Sequence, residues 1–252
     1  MQTEINGLKI NYIDEGSGSP VLFLHGWGSS ILPFTNLINT LKPTHRVVAL
    51  EFPGCGQSET MKTPWDINDY CNFVLEFIEK LGLNNPTLIG HSHGGRVILK
   101  LLGEKQLTPK KVVLLDSAGL IPKKSLKQKF RAKSFKFIKK VLNLPIFNKN
   151  REKLLDKARK KYGSADYNAA PEVLRKTLVN VVNVDLRHLL GNIESSVLLI
   201  WGEKDTATPL SDAKIIEAGI KDCGLCVIKD GGHFAFLDNP YQASAILKSF
   251  LG

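Results

Sequence analysis

The fold is decided by the stretch Pro86-Thr87-Leu88-Ile89-Gly90-His91-Ser92-His93-Gly94-Gly95. Its first four residues are typical of a buried parallel strand, and residues 95–102 carry apolar side chains at helical spacing. A serine between two glycines at such a junction matches the Gly-x-Ser-x-Gly elbow, in which glycine avoids collisions between Cβ atoms and the backbone. We therefore expect the Ser92 hydroxyl to stand at the end of a sheet, beside the free N–H groups of a helix N-terminus.

Strands and helices alternate on both sides of this elbow. Apolar runs predict strands, and amphipathic spacing predicts helices between them. The predicted strands are 8–13, 21–24, 46–50, 86–89, 111–116, 196–201 and 225–229. The predicted helices outside the middle of the chain are 31–41, 68–81, 95–102, 210–218 and 241–251. This alternation is typical of an α/β fold with a doubly wound, mostly parallel sheet.

Two further strand ends supply an acid and a base. Asp205 follows the strand that ends at Trp201, and His233 follows the strand that ends at Lys229. Because ligands bind at the carboxyl ends of strands in open α/β sheets, we expect both residues to lie near Ser92. A serine hydroxyl is too weak an acid to attack at neutral pH, so a histidine must take its proton and a carboxylate must orient that histidine. The sequence therefore predicts a catalytic triad of Ser92, Asp205 and His233.

Asp116 also ends a predicted strand and is the alternative acid. It leads through Ser117-Ala118-Gly119 into a helical region, where an aspartate more often caps a helix. Asp205 is therefore the favoured partner of His233.

A glycine-flanked loop follows the predicted strand 21–24. Gly26 and Gly28 allow the backbone around Trp27 to bend, so that a main-chain N–H can face a substrate oxygen. Together with the N–H of His93, the residue after the serine, the Trp27 N–H would form an oxyanion hole. The simpler alternative is a turn that buries a tryptophan.

The strand pattern is missing from the middle of the chain. Helical spacing recurs at 125–142, 152–162 and 171–182. We expect residues 120–190 to form a helical cap, inserted into a core domain made of residues 1–119 and 191–252.

Positive charge is concentrated in this predicted cap. Residues 120–161 contain sixteen Lys and Arg and two acidic residues, whereas the whole chain carries a net charge of +10. A solvated surface is the ordinary explanation. The functional alternative is attraction of an anionic substrate, an acidic carrier protein or an anionic membrane surface. Nucleic acid is not an expected partner because no recognition motif accompanies the charge.

Aromatic residues and histidines near these motifs are candidates for a substrate pocket. Phe130 and Phe137 of the predicted cap either line an acyl pocket or pack the cap onto the sheet. His25, His91 and Phe234 flank the predicted triad. For the two histidines, a hydrogen-bonded structural role is the more common one.

Composition is typical of a soluble globular protein, and the predicted triad chemistry needs no metal or organic cofactor. The 252 residues are 43% hydrophobic and 23% charged, as in soluble globular proteins. No basic start precedes an apolar run and no stretch approaches ~20 apolar residues, so we expect no secretory signal, no membrane span and a cytoplasmic location. Cys223 and Cys226 have the spacing of a metal or redox pair, but no second pair exists for zinc. Reduced thiols are the expected state of these cysteines and of Cys55 and Cys71.

Five motifs, in this order, resemble those of the α/β-hydrolase superfamily over nearly the whole chain. They are His25-Gly26-Trp27-Gly28, Phe52-Pro53-Gly54-x-Gly56-x-Ser58, Gly90-His91-Ser92-His93-Gly94-Gly95, Gly202-x-x-Asp205-x-x-x-Pro209 and Gly232-His233. The resemblance implies an eight-stranded, mostly parallel sheet with a helical cap after strand 6. Glu51 stands where the family usually has Asp, which implies a changed structural hydrogen bond.

The sequence thus predicts a serine hydrolase that cleaves a small-molecule ester or related acyl bond through an acyl-serine intermediate. A hydrolase of carbon–carbon bonds, of the meta-cleavage product type, resembles this chain in length and cap position. His91 and Phe234-Ala235-Phe236 depart from the residues that such enzymes typically carry. A lactonase, thioesterase or acyltransferase would use the same triad. A ligand sensor that retains the triad is the alternative from a different class.

Overall fold

The computed structural model describes residues 1–121, 126–142, 151–162 and 165–252, which form an eight-stranded sheet. Its strands are β1 (Gln2–Ile5), β2 (Leu8–Glu15), β3 (Ser19–Leu24), β4 (His45–Leu50), β5 (Thr87–His91), β6 (Lys111–Leu115), β7 (Ser196–Gly202) and β8 (Cys223–Ile228). Their order across the sheet is β1-β2-β4-β3-β5-β6-β7-β8. The β1–β2 and β2–β4 pairs are antiparallel, and the other pairs are parallel. The predicted fold class is confirmed.

Helices connect these strands and lie on both faces of the sheet. They are α1 (Thr35–Leu41), α2 (Ile67–Lys80), α3 (His93–Gly103), α4 (Leu126–Leu142), α5 (Arg151–Tyr162), α6 (Ala165–Ala169), α7 (Glu172–Val182), α8 (Leu210–Gly219), α9 (Ala235–Asp238) and α10 (Pro240–Leu251). Side chains of α2, α3 and α8 pack on one face, and those of α1 and α10 pack on the other.

The central strands are apolar throughout because both faces of the sheet are covered. Successive side chains of a strand point to opposite faces. Accordingly Leu22 and Leu24 of β3 join one core cluster, while Val21 and Phe23 join the other. A strand buried on both sides reads as a continuous apolar run and not as an alternating one.

Between β6 and β7 the described residues contain helices and no strand. The predicted helices 125–142, 152–162 and 171–182 correspond to α4, α5 and α7, although residue 125 lies outside the described residues. The region is bonded to the core at Trp65, whose N–H donates to Thr177 Oγ1 at 2.9 Å and whose carbonyl accepts from Asn180 Nδ2 at 3.0 Å. The division into a core domain and a cap stays a prediction.

Short elements at the sheet edges differ from the predictions. The sequence patterns predict neither β1 nor α9, and β8 begins at Cys223 and not at residue 225. Cys223 and Cys226 pack against core clusters on opposite faces of the sheet, and all four cysteines are free thiols. In the described residues we find no helix with the length and apolar character that crossing a bilayer requires. The same residues contain no group of three or more His, Cys, Asp or Glu side chains that could hold a metal ion.

Candidate active site

Ser92 occupies the turn between β5 and α3. Its backbone has φ 49° and ψ −109°, a conformation that residues with a Cβ atom rarely adopt. A Cβ atom on Gly94 would lie 2.0 Å from the Leu24 carbonyl oxygen, and one on Gly90 would lie 2.6 Å from Ile98 Cδ1. The two glycines therefore let α3 approach the strands closely, which holds Ser92 at the carboxyl edge of the sheet.

A chain of hydrogen bonds joins Ser92, His233 and Asp205. Nε2 of His233 lies 3.1 Å from Ser92 Oγ, and its Nδ1 lies 2.8 Å from Asp205 Oδ2. An ionised carboxylate only accepts hydrogen bonds, so Nδ1 carries the proton and Nε2 accepts from the serine hydroxyl. The structure thus brings together three predicted residues from three separate loops.

The loop after β7 holds the Asp205 carboxylate in place. Its Oδ1 accepts the N–H groups of Ala207 at 2.7 Å and Thr208 at 3.0 Å, and its Oδ2 accepts the Thr208 hydroxyl at 2.6 Å. Burial alone would raise the pKa of Asp205, but the hydrogen bonds from His233 and Thr208 outweigh burial and keep the pKa below its usual value. Sequence analysis did not single out Thr208, although its position three residues after Asp205 suits a side chain that bonds within its own loop.

Asp116, the alternative acid, accepts hydrogen bonds from the backbone of two loops, those of Asp205 and of His233. Its Oδ1 accepts the Gly202 N–H at 2.7 Å, and its Oδ2 accepts the Ala235 N–H at 3.0 Å. Burial raises the pKa of Asp116 to about 7. Its carboxyl group therefore links the end of β7 to the first turn of α9, next to the loop of His233. This placement favours Asp205 as the hydrogen-bond partner of His233.

His25 and His91 are buried, neutral and hydrogen-bonded. His25 Nδ1 donates to the Gly26 carbonyl at 2.6 Å and its Nε2 accepts the Phe52 N–H at 2.9 Å. His91 Nε2 donates to the carbonyl of His233 at 2.8 Å. Burial lowers the pKa of His25 to about 4 and that of His91 to about 3. Both rings hydrogen-bond backbone groups of neighbouring loops. Neither His25 nor His91 lines the cavity at Ser92, in contrast to the pocket role predicted for them.

Trp27 and His93 border Ser92 from two different loops. Within the described part of the chain, neither backbone N–H has a hydrogen-bond partner. The His93 ring packs edge-on against Trp27 and Tyr70, with centroid distances of 5.7 Å and 4.6 Å. Burial lowers the pKa of His93 to about 3, and its Nε2 is buried with no partner among the described residues. Both residues line the cavity at Ser92, and the described residues leave their N–H groups without a partner.

A cavity of about 280 Å³ opens onto Ser92 and His233. Its apolar wall includes Leu178, Val181 and Val182 at the end of α7. The cavity thus lies where the helical region between β6 and β7 meets the sheet.

The aromatic residues predicted to line a pocket lie elsewhere. Phe130 is 74% exposed and Phe137 is 69% exposed, both on α4. Phe234 packs against the His91 ring at a centroid distance of 4.5 Å. None of the three lines the cavity at Ser92, which corrects the predicted pocket. Helical spacing shows which residues share a face but not which face turns toward the sheet.

Two buried charged residues in the cavity wall were not predicted. Arg96 of α3 donates from Nη1 to the Val184 carbonyl at 2.8 Å. Asp212 of α8 lines the same cavity, and burial raises the pKa of its carboxyl group. The available signal for Arg96 was its position, since a charged residue four positions after Ser92 precedes the apolar run Val97-Ile98-Leu99.

Comparisons with known proteins show what this chain is similar to. The model of the alpha/beta hydrolase family matches residues 21–245. The dihydrolipoyllysine-residue acetyltransferase component of the acetoin cleaving system of Cupriavidus necator is 26% identical over 270 residues, which cover 99% of this chain and 68% of that protein. The solved esterase EaEST from Exiguobacterium antarcticum is 25% identical with a TM-score of 0.76, over 98% of this chain and 96% of that one. The meta-cleavage product hydrolase CumD from Pseudomonas fluorescens IP01 is 19% identical with a TM-score of 0.72, over 97% and 94% of the two chains.

Proposed function

Because the chain belongs to the alpha/beta hydrolase family, we propose that it is a serine hydrolase that cleaves a carboxylic ester or a related acyl bond. One observation carries the proposal: the hydrogen bonds that run from the Ser92 hydroxyl through His233 to Asp205, at the wall of a cavity. Similarity to an esterase over nearly the whole chain supports it. A cytoplasmic location is part of the proposal, and fractionation of cells that express the chain checks it.

The proposed reaction has two steps. In the first, Ser92 Oγ attacks the acyl carbon while His233 Nε2 takes the hydroxyl proton, and His233 then gives that proton to the leaving alcohol. In the second, water attacks the acyl-serine with the same help from His233, which releases the acid and restores the serine. Asp205 holds Nδ1–H of His233 and stabilises the imidazolium in both steps.

The backbone N–H groups of Trp27 and His93 would stabilise the negative oxygen of each tetrahedral intermediate. Their lack of partners in the described protein supports this role. Loss of one such donor costs about 3–4 kcal/mol of barrier in other enzymes, so these groups would contribute substantially to the rate.

A labelling and turnover assay tests the proposal. The protein is incubated with a fluorophosphonate probe and with p-nitrophenyl esters from acetate to laurate, alongside Ser92→Ala and the exposed control Ser249→Ala. We expect the wild type and Ser249→Ala to label and to turn over repeatedly, while Ser92→Ala loses the label and more than roughly 10³-fold in kcat. Wild-type protein that neither labels nor hydrolyses any ester would contradict the proposal.

The same assay separates the alternatives when a meta-cleavage product, a lactone and a thioester are added to the set of substrates. A carbon–carbon bond hydrolase would cleave a meta-cleavage product and spare the esters. A lactonase would prefer a lactone and a thioesterase would prefer a thioester. An acyltransferase would pass the acyl group to an added thiol or alcohol. A ligand sensor would label without repeated turnover, and its melting temperature would rise with ligand.

We also propose that the basic segment 120–161 attracts an anionic substrate or an acidic carrier protein. Exposed lysines of α4 and α5 support this, among them Lys133, Lys136, Lys140 and Lys153. Attraction between exposed charges weakens with salt. We expect kcat/KM of an anionic ester to fall between roughly 20 and 300 mM salt, with a smaller fall in Lys133→Glu/Lys136→Glu/Lys140→Glu. Equal salt responses of anionic and neutral esters would overturn the idea.

A further inference from the structure

Arg96 is a buried cation beside the proposed nucleophile. It lies one helical turn after Ser92, and its backbone N–H donates to the Ser92 carbonyl at 3.1 Å. Its side chain is 5% exposed and lines the cavity onto which Ser92 opens. Because Ser92 and Arg96 both line this one cavity, both side chains are within reach of a single small molecule.

Arg96 makes no ion pair with any residue that the structure describes. No carboxylate of the described residues lies within 4.0 Å of the guanidinium, which donates to the carbonyl of Val184. Asp185 attracts it from farther away, but that carboxylate already accepts from the Arg187 guanidinium and from the Ile121 N–H. Burial lowers the pKa of Arg96 to about 10, so the group remains charged at neutral pH. A buried cation with unused donors is costly unless an anion completes it.

We propose that Arg96 binds a carboxylate on the acyl part of the substrate, which makes the protein a hydrolase of esters of short dicarboxylic acids. The proposal rests on the proposed function and names its substrate class. The substrate supplies the missing counter-ion, and the planar guanidinium can bind both carboxylate oxygens.

Asp212 indicates which part of the substrate carries the carboxylate. It lines the same cavity and makes no ion pair with Arg96. Arg187 attracts the Asp212 carboxylate, while Asp185 and Asp205 repel it. A further carboxylate beside Asp212 and Asp205 would be repelled, so the substrate carboxylate is placed at Arg96. The leaving alcohol must lie near His233, which protonates it and is bonded to Asp205. The carboxylate at Arg96 therefore belongs to the acyl part.

The remaining cavity suits a short chain. Its apolar side chains Leu120, Leu178 and Val181 would contact the methylene groups between the two carboxyl carbons. A volume of about 280 Å³ is small for a ligand site, which favours a diacid of a few carbons.

Two matched esters test the assignment. Mono-p-nitrophenyl glutarate and p-nitrophenyl valerate have acyl chains of the same length, and only the far end differs, a carboxylate against a methyl group. We expect wild-type kcat/KM to be higher for the glutarate ester. In Arg96→Met the glutarate-to-valerate ratio should fall roughly 10- to 100-fold, mainly through KM of the glutarate ester. Arg96→Lys should lie between them because it keeps the charge without the fork.

Arg175→Met is the matched control. Arg175 also donates to a backbone carbonyl, that of Ala170, and it does not line the cavity. Its removal changes the net charge equally, so the ester ratio should stay at the wild-type value. If Arg96 serves only to hold Val184 in place, Arg96→Met lowers kcat/KM of both esters by the same factor. The ratio then stays constant, which overturns the proposal.

A second measurement needs no substitution at Arg96. Glutarate should inhibit hydrolysis of the valerate ester competitively while glutaramide does not, because only glutarate carries the carboxylate that Arg96 would bind. Valerate hydrolysis without glutarate preference or inhibition would overturn the Arg96 site and leave the hydrolase proposal intact. If the protein neither labels with the fluorophosphonate probe nor cleaves any ester, the hydrolase proposal fails. A glutarate-dependent rise in melting temperature, lost in Arg96→Met, would then still support the site.

Discussion

Thr208 contacts two residues of the proposed triad, Asp205 and His233. Its hydroxyl oxygen lies 2.6 Å from Asp205 Oδ2, 3.0 Å from the Asp116 carbonyl oxygen and 3.3 Å from His233 Nδ1. A hydroxyl has a single proton, and the bond to an ionised acceptor is the stronger one, so Thr208 donates to Asp205. Asp205 is thereby fixed in orientation by groups that do not titrate, while Oδ2 still accepts from His233.

Replacing Thr208 tests this role at the scale of one residue. Thr208→Val keeps the shape and removes the donor, and loss of a hydrogen bond to a charged group costs about 1.5–3 kcal/mol. We expect kcat to fall roughly 10-fold or more, and the loss of a hydrogen bond to the charged carboxylate to raise the pKa of Asp205. Thr40→Val, which removes a hydroxyl bonded to the Asn36 carbonyl, is the control. An unchanged kcat and pH profile in Thr208→Val would argue against a positioning role.

At the scale of elements, the approach of α3 to β3 and β5 places the proposed nucleophile. The Gly94 N–H donates to the His25 carbonyl at 3.1 Å, at the end of β3. The Ser92 N–H donates to the Leu115 carbonyl at 3.1 Å, at the end of β6. The helix start is therefore bonded to two strand ends, and side chains are excluded from the space between them.

Substitution of Gly94 should break this packing. The Cβ atom of Gly94→Ala would meet the Leu24 carbonyl, a backbone atom that cannot rotate away. We expect the free energy of unfolding to fall by about 3 kcal/mol, together with loss of fluorophosphonate labelling. In Gly224→Ala, where no atom lies within 4 Å of the new Cβ, it should change by less than about 1 kcal/mol. Urea unfolding of the three proteins measures both. Equal stabilities would mean that the helix does not approach the strand this closely.

The sequence predicts the elements that are long and apolar, and it predicts the proposed relay through their order. Central strands such as β3 and β7 are recognisable because burial on both faces leaves them no polar positions. β1 escapes prediction because an edge strand of four residues pairs on one side only and carries polar side chains. Ser92, Asp205 and His233 follow from the rule that ligands bind at the carboxyl ends of strands, without knowledge of distances.

The missed parts of the site depend on contacts between distant segments. Arg96 becomes a cavity residue because Val184, 88 positions later, covers it. The sequence offers Phe130 and Phe137 as pocket residues because helical periodicity alone does not show which face of a helix turns toward the sheet. No spacing in a single sequence contains either piece of information.

At the scale of the whole molecule, titratable groups are buried around one edge of the sheet. His25, His91 and His93 are held neutral by burial, with pKa values of about 4, 3 and 3 in place of 6.5. Asp116 is affected in the opposite direction, with a pKa raised from 3.8 to about 7. The site thus combines bases that resist protonation with an acid that resists ionisation, and folding is linked to pH through both.

Mild acid should therefore destabilise the protein. Below pH 6.5 the unfolded chain binds a proton at each of the three imidazoles while the folded chain binds none, until the pH approaches 4. Asp116 opposes this, because its stabilising contribution is present at low pH and is lost as the pH rises through about 7. Three protons favour the unfolded chain and one favours the folded chain, so the free energy of unfolding should fall by about 2–3 kcal/mol per pH unit between pH 6 and 5.

Urea unfolding at pH 7, 6 and 5 measures this slope. His91→Phe should reduce it by about 1.4 kcal/mol per pH unit, whereas the exposed control His188→Gln should not. A stability that stays level or rises on acidification would show that these imidazoles are not held neutral, and a protonated His25 could no longer accept the Phe52 N–H.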